Sequence, residues 1–509
     1  MKDWQILRRD FSYLNTYRFN ADIRYDLMKL KYVVFPVLVV ILYLYINLFA
    51  NALTDDAFIT LQYVKTLLST GTWGFLPGYM VNAVTSPLNV FLLAFTGIFL
   101  GPTIEAVIWL SSFILALNVL LLVKISTLLF GRASFGCLAA IGLIFNPLII
   151  STLGLESILF VCLYTLSLYL YITSKWSLLA AAVGLITVTR FEGILFFIVA
   201  LLLVPTLKLR LRFAGIYLLC ILPWYIFSWI YLGTLFPDTL FIKLMQRSWG
   251  HWDFFNGLDL YYRVYPMEII LSFSLLPCVL LLFNKAIRDS PPMQFLLLTS
   301  LAHFAGYSIL HVPPYYWYYV PEITAVVLMG SFGLGTLFQN GNIETSRKNK
   351  VPVMAATLLV LQALGMLFIL VRGSFPVDEM PIHTNWATHE QYVEVGQWLK
   401  EHNKGGAILV DGEVGTLGYY CDCKVSSFFS DRSWLIEHVH QQLTGGGIKS
   451  VLYKVNFLFL DKETKFPQPV YLLTETPVGG SNNITSLMEW RTSTQWVPDS
   501  LIQLSNYSD

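Results

Sequence analysis

Residues 32–63, YVVFPVLVVILYLYINLFANALTDDAFITLQY, decide how the rest of the chain is read. The first part, 32–50, is apolar over about the length that crosses a bilayer core. It follows the polar, basic segment 1–31 and is not followed by a small-residue cleavage site, so it reads as a retained first span and not as a removed signal. The second part opens on two adjacent carboxylates, Asp55 and Asp56, directly after that span ends. Composition agrees with a membrane setting: 56% of the 509 residues are hydrophobic and 13% are charged, whereas soluble domains carry charge on about a quarter. The 33 basic and 32 acidic residues nearly cancel, so the total is uninformative and the placement of the charges is what informs; no nucleic-acid partner is expected.

Further apolar runs fall at 104–123, 133–152, 157–173, 176–189, 193–207, 213–232, 267–284, 293–311, 316–338 and 351–371. Basic clusters separate them: Lys2 to Lys31, Lys124/Arg132, Lys175, Lys208/Arg210/Arg212, Lys285/Arg288 and Arg347/Lys348/Lys350. The positive-inside rule turns these clusters to the cytoplasm. About eleven spans satisfy all of them, with the segments 51–103, 153–156, 190–192, 233–266, 312–315 and 372–509 outside. The run 87–100 is too short for this count and starts at Ser86-Pro87, a favourable helix start. It is predicted to lie in the outer interface or to re-enter, against the alternative of a twelfth span.

The hairpin around Arg190-Phe191-Glu192 is unusual. Its two apolar arms are each about 14 residues, or about 20 Å as helix, and would hold both charges below the outer surface, where they need partners or a wet cavity. Residues two apart do not face each other along a helix, so Arg190 and Glu192 need not pair.

From Ser374 onward the composition changes. Residues 388–403 read as an amphipathic helix with Tyr392, Val395, Trp398 and Leu399 on one face, 407–410 as a strand, 412–418 as a Gly-rich turn and 457–460 as a second buried strand. The expected fold is therefore a polytopic α-helical membrane protein, with segment 1–31 cytoplasmic, 32–371 as the membrane domain and 372–509 as a small soluble α/β domain. Cys137, Cys162, Cys220 and Cys278 lie in apolar runs as buried hydrophobes, and one residue between Cys421 and Cys423 argues against joining them.

The acidic doublet reads two ways. Two neighbouring, partly desolvated carboxylates suit a general base, and equally Thr54 or Asp55 suits the N-cap of a helix that follows. Glu156, after Gly154-Leu155, sits where an acid favours a helix N-terminus. Lys243 is either a cation for an outer site or a snorkelling lysine. The run Tyr315 to Tyr319 is either an interfacial belt or a sugar-stacking ledge. The turn at 412–418 is no phosphate loop, because the P-loop spacing and its Lys-Ser/Thr are missing.

Taken in order, these strings resemble a known family. Thr54-Asp55-Asp56-Ala57-Phe58-Ile59-Thr60, Thr85-Ser86-Pro87-Leu88, Asn146-Pro147 with Gly154-Leu155-Glu156, Thr189-Arg190-Phe191-Glu192-Gly193, Pro237-Asp238-Thr239 with Lys243, Tyr316-Trp317-Tyr318-Tyr319-Val320-Pro321 and Asp411 to Tyr420 are similar to GT-C glycosyltransferases that use polyprenyl-phosphate sugars. They are nearest the bacterial arabinofuranosyltransferase and mannosyltransferase-like branch, with Phe191 where that branch has proline. The resemblance implies an inverting transfer from a polyprenyl-phosphate sugar to a cell-envelope glycan, lipid (lipopolysaccharide among them) or protein. The implied setting is the extracytoplasmic side of a bacterial inner membrane, the N-terminus being cytoplasmic.

It implies Asp55 as general base with Asp56 as second choice. Lys243, Arg190 and His311 would bind the donor phosphate, with Arg247 and His251 behind them. Glu156, Glu192, Tyr316, Trp317 and Tyr319 would contact substrate. Metal dependence stays open: Asp55, Asp56, Glu156 and Glu192 could together hold a divalent cation or none. Two other classes compete. A lipid-linked glycan flippase needs paired broken helices and an inverted repeat, and the sequence offers one short hairpin without a matching partner. A glycan polymerase would carry arginine-rich outer loops.

Overall fold

The structure is a computed structural model and describes residues 21–282, 290–339, 345–373, 377–410, 412–427, 432–461, 469–477, 488–490 and 500–506. Lys285, Arg288, Asp411 and the basic residues of 1–20 lie outside these residues.

Among the described residues, four helices are long and apolar enough to cross a membrane: Ile104–Phe130, Leu207–Tyr231, Pro291–Leu310 and Val353–Arg372. The remaining apolar helices are shorter, among them Val33–Asn47 (the apolar part of Ala21–Asn47), Pro87–Leu100, Ser134–Ile144, Ser157–Ile172, Trp176–Thr189 and Gly193–Leu203. We read this as a multi-pass membrane protein. Helix 87–100 stands as a separate element beside the helices 55–70 and 104–130, and it exposes Phe91, Phe95, Ile98 and Phe99.

Two of the expected spans are broken. The run 133–152 divides into Ser134–Ile144 and Pro147–Ile150, and the run 267–284 into Pro266–Ser272 and Leu276–Leu282. A break in lipid frees backbone groups that must find partners inside the protein, and here the two breaks supply each other. The Asn146 amide donates to the Ser272 carbonyl at 3.0 Å, and the Leu148 N–H donates to Ser272 Oγ at 3.1 Å. Gln362, from the helix Thr345–Arg372, closes the gap by donating to the Gly142 carbonyl at 3.0 Å and accepting from Ser274 Oγ at 2.8 Å. The sequence reading found no partnered break because isolated Asn, Ser and Gln residues in apolar runs carry no periodicity.

Beyond the membrane helices we label α1 His389–His402, β1 Ala407–Leu409, α2 Val414–Cys421, β2 Val425–Ser426, α3 Ser433–Thr444, α4 Gly447–Asn456, β3 Pro469–Pro477, β4 Met488–Trp490 and β5 Ser500–Asn506. The strands form one mixed sheet in the order β2-β1-β3-β5-β4, parallel from β2 through β3 and antiparallel beyond. Helix α1 starts on a capping box between Thr388 and Gln391 and buries Tyr392, Val395 and Leu399.

Two expectations fail here. The Gly-rich stretch 412–418 is largely helical, because its glycines serve packing and not turning. A Cβ on Gly415 would collide with the Asp55 carbonyl and stand 2.8 Å from the Ile59 nitrogen, so only glycine lets α2 lie against the helix Asp55–Thr70. The run 457–460 is no strand but the turn that follows α4. Tyr453, Phe457 and Leu460, at helical spacing, pack with Phe241, Leu435 and Val439 in a small second core. Four apolar residues are too few to tell a strand from the turn after a helix.

Cys421 and Cys423 are joined, contrary to the spacing argument: α2 ends at Cys421, and Asp422 takes a left-handed conformation (φ 53°) that turns the chain back.

Candidate active site

The helix Asp55–Thr70 starts at Thr54, whose side chain makes no capping bond. The acidic doublet divides at this turn. Asp55 points to the C-terminal part of the chain: its Oδ1 accepts from the Thr416 N–H at 2.7 Å and from Thr416 Oγ1 at 2.9 Å. The Asp55 N–H donates to Asn385 Oδ1 at 3.1 Å, and the Asn385 amide donates to the Leu53 carbonyl at 2.8 Å. Burial pushes the Asp55 carboxyl up to about 6, the Thr416 hydrogen bonds and the neighbouring Asp56 charge acting in opposite directions.

Asp56 points the other way, into a cavity of about 90 Å³, and its carboxylate accepts no hydrogen bond from the described residues. Burial raises its pKa above the ordinary carboxylate range, opposed by the positive charge of Lys243.

That cavity gathers much of the rest. Lys243 lies on the helix Asp238–Gln246, is 7% exposed and lines the same cavity as Asp56. A snorkelling lysine would reach bulk water. This one stays inside, with Nζ 4.5, 5.3 and 5.7 Å from the ring centres of Tyr315, Tyr318 and Trp317. No carboxylate among the described residues pairs with it.

Also lining this cavity, Arg190 holds both candidate glutamates. Its Nη1 donates to Glu156 Oε1 at 3.1 Å, its Nε donates to Glu192 Oε1, and its Nη2 donates to the Tyr307 hydroxyl at 3.3 Å. The pairing of Arg190 with Glu192, which helical spacing did not require, arises because the preceding helix stops at Thr189 and Arg190 is extended (φ −149°, ψ 126°). His303 and Glu322 continue the network, with His303 Nδ1 2.7 Å from Glu322 Oε1 and Nε2 3.9 Å from Glu192 Oε1. None of His303, Tyr307 and Glu322 stood out in the sequence, where each is a lone polar residue in an apolar run.

The aromatic run splits according to its 3₁₀ turn, Tyr316–Tyr319. In such a turn residues three apart eclipse, so Tyr316 and Tyr319 turn inward together, donating to the Ser151 and Phe254 carbonyls at 2.8 and 2.6 Å. Tyr315, Trp317 and Tyr318 line the cavity instead. His311 is exposed, with Nδ1 2.8 Å from Asp253 Oδ2. It lines a second cavity of about 1180 Å³ together with Arg247, Phe241, Leu244 and Leu452, and the two cavities share Leu240 and Leu310. His251 lines neither cavity. No group of three His, Cys, Asp or Glu side chains among the described residues converges as a metal site.

The C-terminal part also holds the Lys243 helix in place. Arg432, buried, donates from Nε to Asp238 Oδ2 at 2.8 Å and from Nη1 to the Leu232 carbonyl at 2.7 Å. Removing one member of a buried pair strands the other charge, at about 3–5 kcal/mol. Arg432→Ala is expected to lower the thermal unfolding midpoint markedly, while Arg432→Met combined with Asp238→Leu recovers most of it. A single variant as stable as the parent would show the pair to be inert.

The helical body and the sheet-bearing unit together share the fold of solved ArnT structures. The apo structure of ArnT from Cupriavidus metallidurans superposes with a TM-score of 0.55 at 13% identity, covering 82% of this chain and 92% of that one. The same protein bound to undecaprenyl phosphate gives a TM-score of 0.52 at 16% identity over 78% of this chain and 85% of that one. No family profile matches the sequence, and no curated protein matches it.

Proposed function

We propose that this chain is a membrane glycosyltransferase that takes a sugar from a polyprenyl-phosphate donor and passes it to a hydroxyl group of a cell-envelope glycan, lipid or protein. The observation that carries the proposal is that Asp56 and Lys243 line one cavity, close enough for the lysine charge to act on the acid. In the reaction, the Asp56 carboxylate takes the proton of the acceptor hydroxyl as that oxygen attacks the anomeric carbon. The bond from that carbon to the phosphate oxygen breaks, its electron pair leaves with the polyprenyl phosphate, and one in-line displacement inverts the centre. Charge develops on the leaving phosphate, and a preorganised cation there lowers the barrier. Lys243 takes this role, since it has no carboxylate partner to surrender. Arg190 adds its field from the same cavity and holds Glu156 and Glu192 at fixed positions for the sugar hydroxyls.

Support also comes from the fold shared with ArnT, which has been seen with undecaprenyl phosphate bound. We place the chain in the bacterial cytoplasmic membrane with the cavity and residues 372–509 on the outer side, because nucleotide sugars are confined to the cytoplasm while a lipid-linked donor reaches the exterior. The paired helix breaks are the feature a flippase would use. Those breaks are sealed by Asn146, Ser272 and Gln362 and line neither cavity.

The test is incubation of the purified chain with undecaprenyl-phosphate pentoses and hexoses and an envelope extract, read as undecaprenyl phosphate released and sugar gained by mass. Transfer supports the proposal. Passage of intact lipid-linked sugar across proteoliposomes, without release from any donor, would replace it with transport.

A further inference from the structure

Helix α4 and the turn after it carry two apolar faces. One, Tyr453, Phe457 and Leu460, belongs to the second core. The other, Val451, Leu452, Val455, Leu458 and Phe459, is exposed, and it repeats at helical spacing (i, i+1, i+4, i+7, i+8). A lone exposed leucine needs no explanation, but a contiguous apolar face marks an interaction surface.

What covers this face follows from where the helix is docked. It lies against the end of the membrane helix Leu207–Tyr231 nearest the two cavities. The Trp229 indole N–H donates to the Val455 carbonyl at 2.8 Å, and the Phe459 ring stands edge-on to Trp229 with centres 5.1 Å apart. The chain leaving that membrane helix is stitched to the end of α4: the Leu235 N–H donates to the Asn456 carbonyl at 3.2 Å and the Phe236 N–H to Asn456 Oδ1 at 2.8 Å. At Gly233 the contact is so close that a Cβ would stand 2.9 Å from Leu460 Cα. The membrane helix itself exposes Leu219, Leu222, Ile226, Ile230 and Tyr231. Its bare face therefore runs into that of α4, across a tryptophan and a tyrosine of the kind that mark a membrane–water boundary.

We propose that the 447–459 segment is an in-plane interfacial helix, with Val451, Leu452, Val455, Leu458 and Phe459 embedded in the acyl region of the leaflet on the cavity side. Its partner is lipid hydrocarbon, as for helices that lie at the headgroup boundary with an apolar side buried about 5–10 Å. Exposed Lys454 reaches from the same helix toward the headgroups. One end of the sheet-bearing unit is thereby held to the bilayer directly, in addition to its contacts with the helix Asp55–Thr70. Because Leu452, Tyr453, Val455 and Asn456 also line the second cavity, that cavity borders the lipid phase.

The experiment uses the full chain in phosphatidylethanolamine–phosphatidylglycerol nanodiscs, with Cys137, Cys162, Cys220 and Cys278 replaced by serine. Nitroxides are attached to single cysteines introduced at Val451, Val455 or Leu458, with exposed Glu401 on α1 as the aqueous reference. Collision rates are measured with oxygen, which concentrates in hydrocarbon, and with a neutral nickel chelate, which stays in water. At all three helix positions oxygen is expected to win by several-fold, and at Glu401 the chelate. Chelate-dominated labels at the helix positions would place the helix in water and overturn the proposal. Labels shielded from both reagents would overturn it too, by showing protein over the face.

Discussion

Asp56→Asn is expected to lower sugar transfer by about 10²–10⁴-fold, the usual contribution of a positioned acid–base group, while Asp55→Asn keeps most of it. The two carboxylates are sequence neighbours with opposite surroundings. Asp56 faces the cavity without a hydrogen bond from the described residues, and Asp55 accepts two from Thr416. Asparagine at 55 still offers an acceptor oxygen to Thr416, so the tie between the helix Asp55–Thr70 and α2 survives. It also removes a charge that burial disfavours. The Asp55 carboxyl in the fold titrates near 6, above its unfolded value, so the folded chain takes up a proton as pH falls from about 6 toward 4. By linkage this group favours the fold on the acidic side of that window and costs stability above it. Asp55→Asn is therefore expected to unfold at an equal or higher temperature than the parent at neutral pH. Full activity of the Asp56 variant, with loss in the Asp55 variant, would transfer the role of base to Asp55.

The order of preference between these acids was not legible in the sequence, and the reason is geometric. A first-loop acid can be found by its position after a span, but which of two adjacent carboxylates enters the cavity depends on how the helix meets its neighbours. That phase is set by Gly415 and Thr416, some 360 residues away. What the sequence did carry was expressed as period or length: the apolar helix that precedes Asp55, the short helices around Arg190, the amphipathic helix α1 and strand β1. Features made of single polar residues in apolar surroundings stayed hidden, such as the facing breaks at Asn146 and Ser272, or Arg432 reaching back to Asp238. The glycines of 412–418 misled because glycine marks both a turn and a close helix contact, and only the partner backbone tells the two apart.

The sharpest test of the division of labour is Lys243→Met. Removing a preorganised cation aimed at a developing anion costs about 10²–10³ in turnover, and methionine keeps much of the bulk against Tyr315, Trp317 and Tyr318. The lysine has no ion-pair partner to strand, and its cation–π contacts, worth about 2 kcal/mol or more when desolvated, are offset by the cost of keeping an ammonium group out of water. Thermal stability is therefore expected to change little while kcat collapses. A second signature separates this role from a structural one. Asp56 must be ionised to act, so activity falls as pH drops through its pKa, which burial already holds above the ordinary carboxylate range and which the Lys243 charge pulls back down. Without that charge the pKa rises further, and the acidic limb of the pH–rate profile moves to higher pH. Lys243→Arg keeps the charge and is expected to leave the limb near its original place, with an intermediate rate. A Lys243→Met protein with parental kcat and an unmoved acidic limb would mean that the ammonium neither meets the leaving phosphate nor tunes the base.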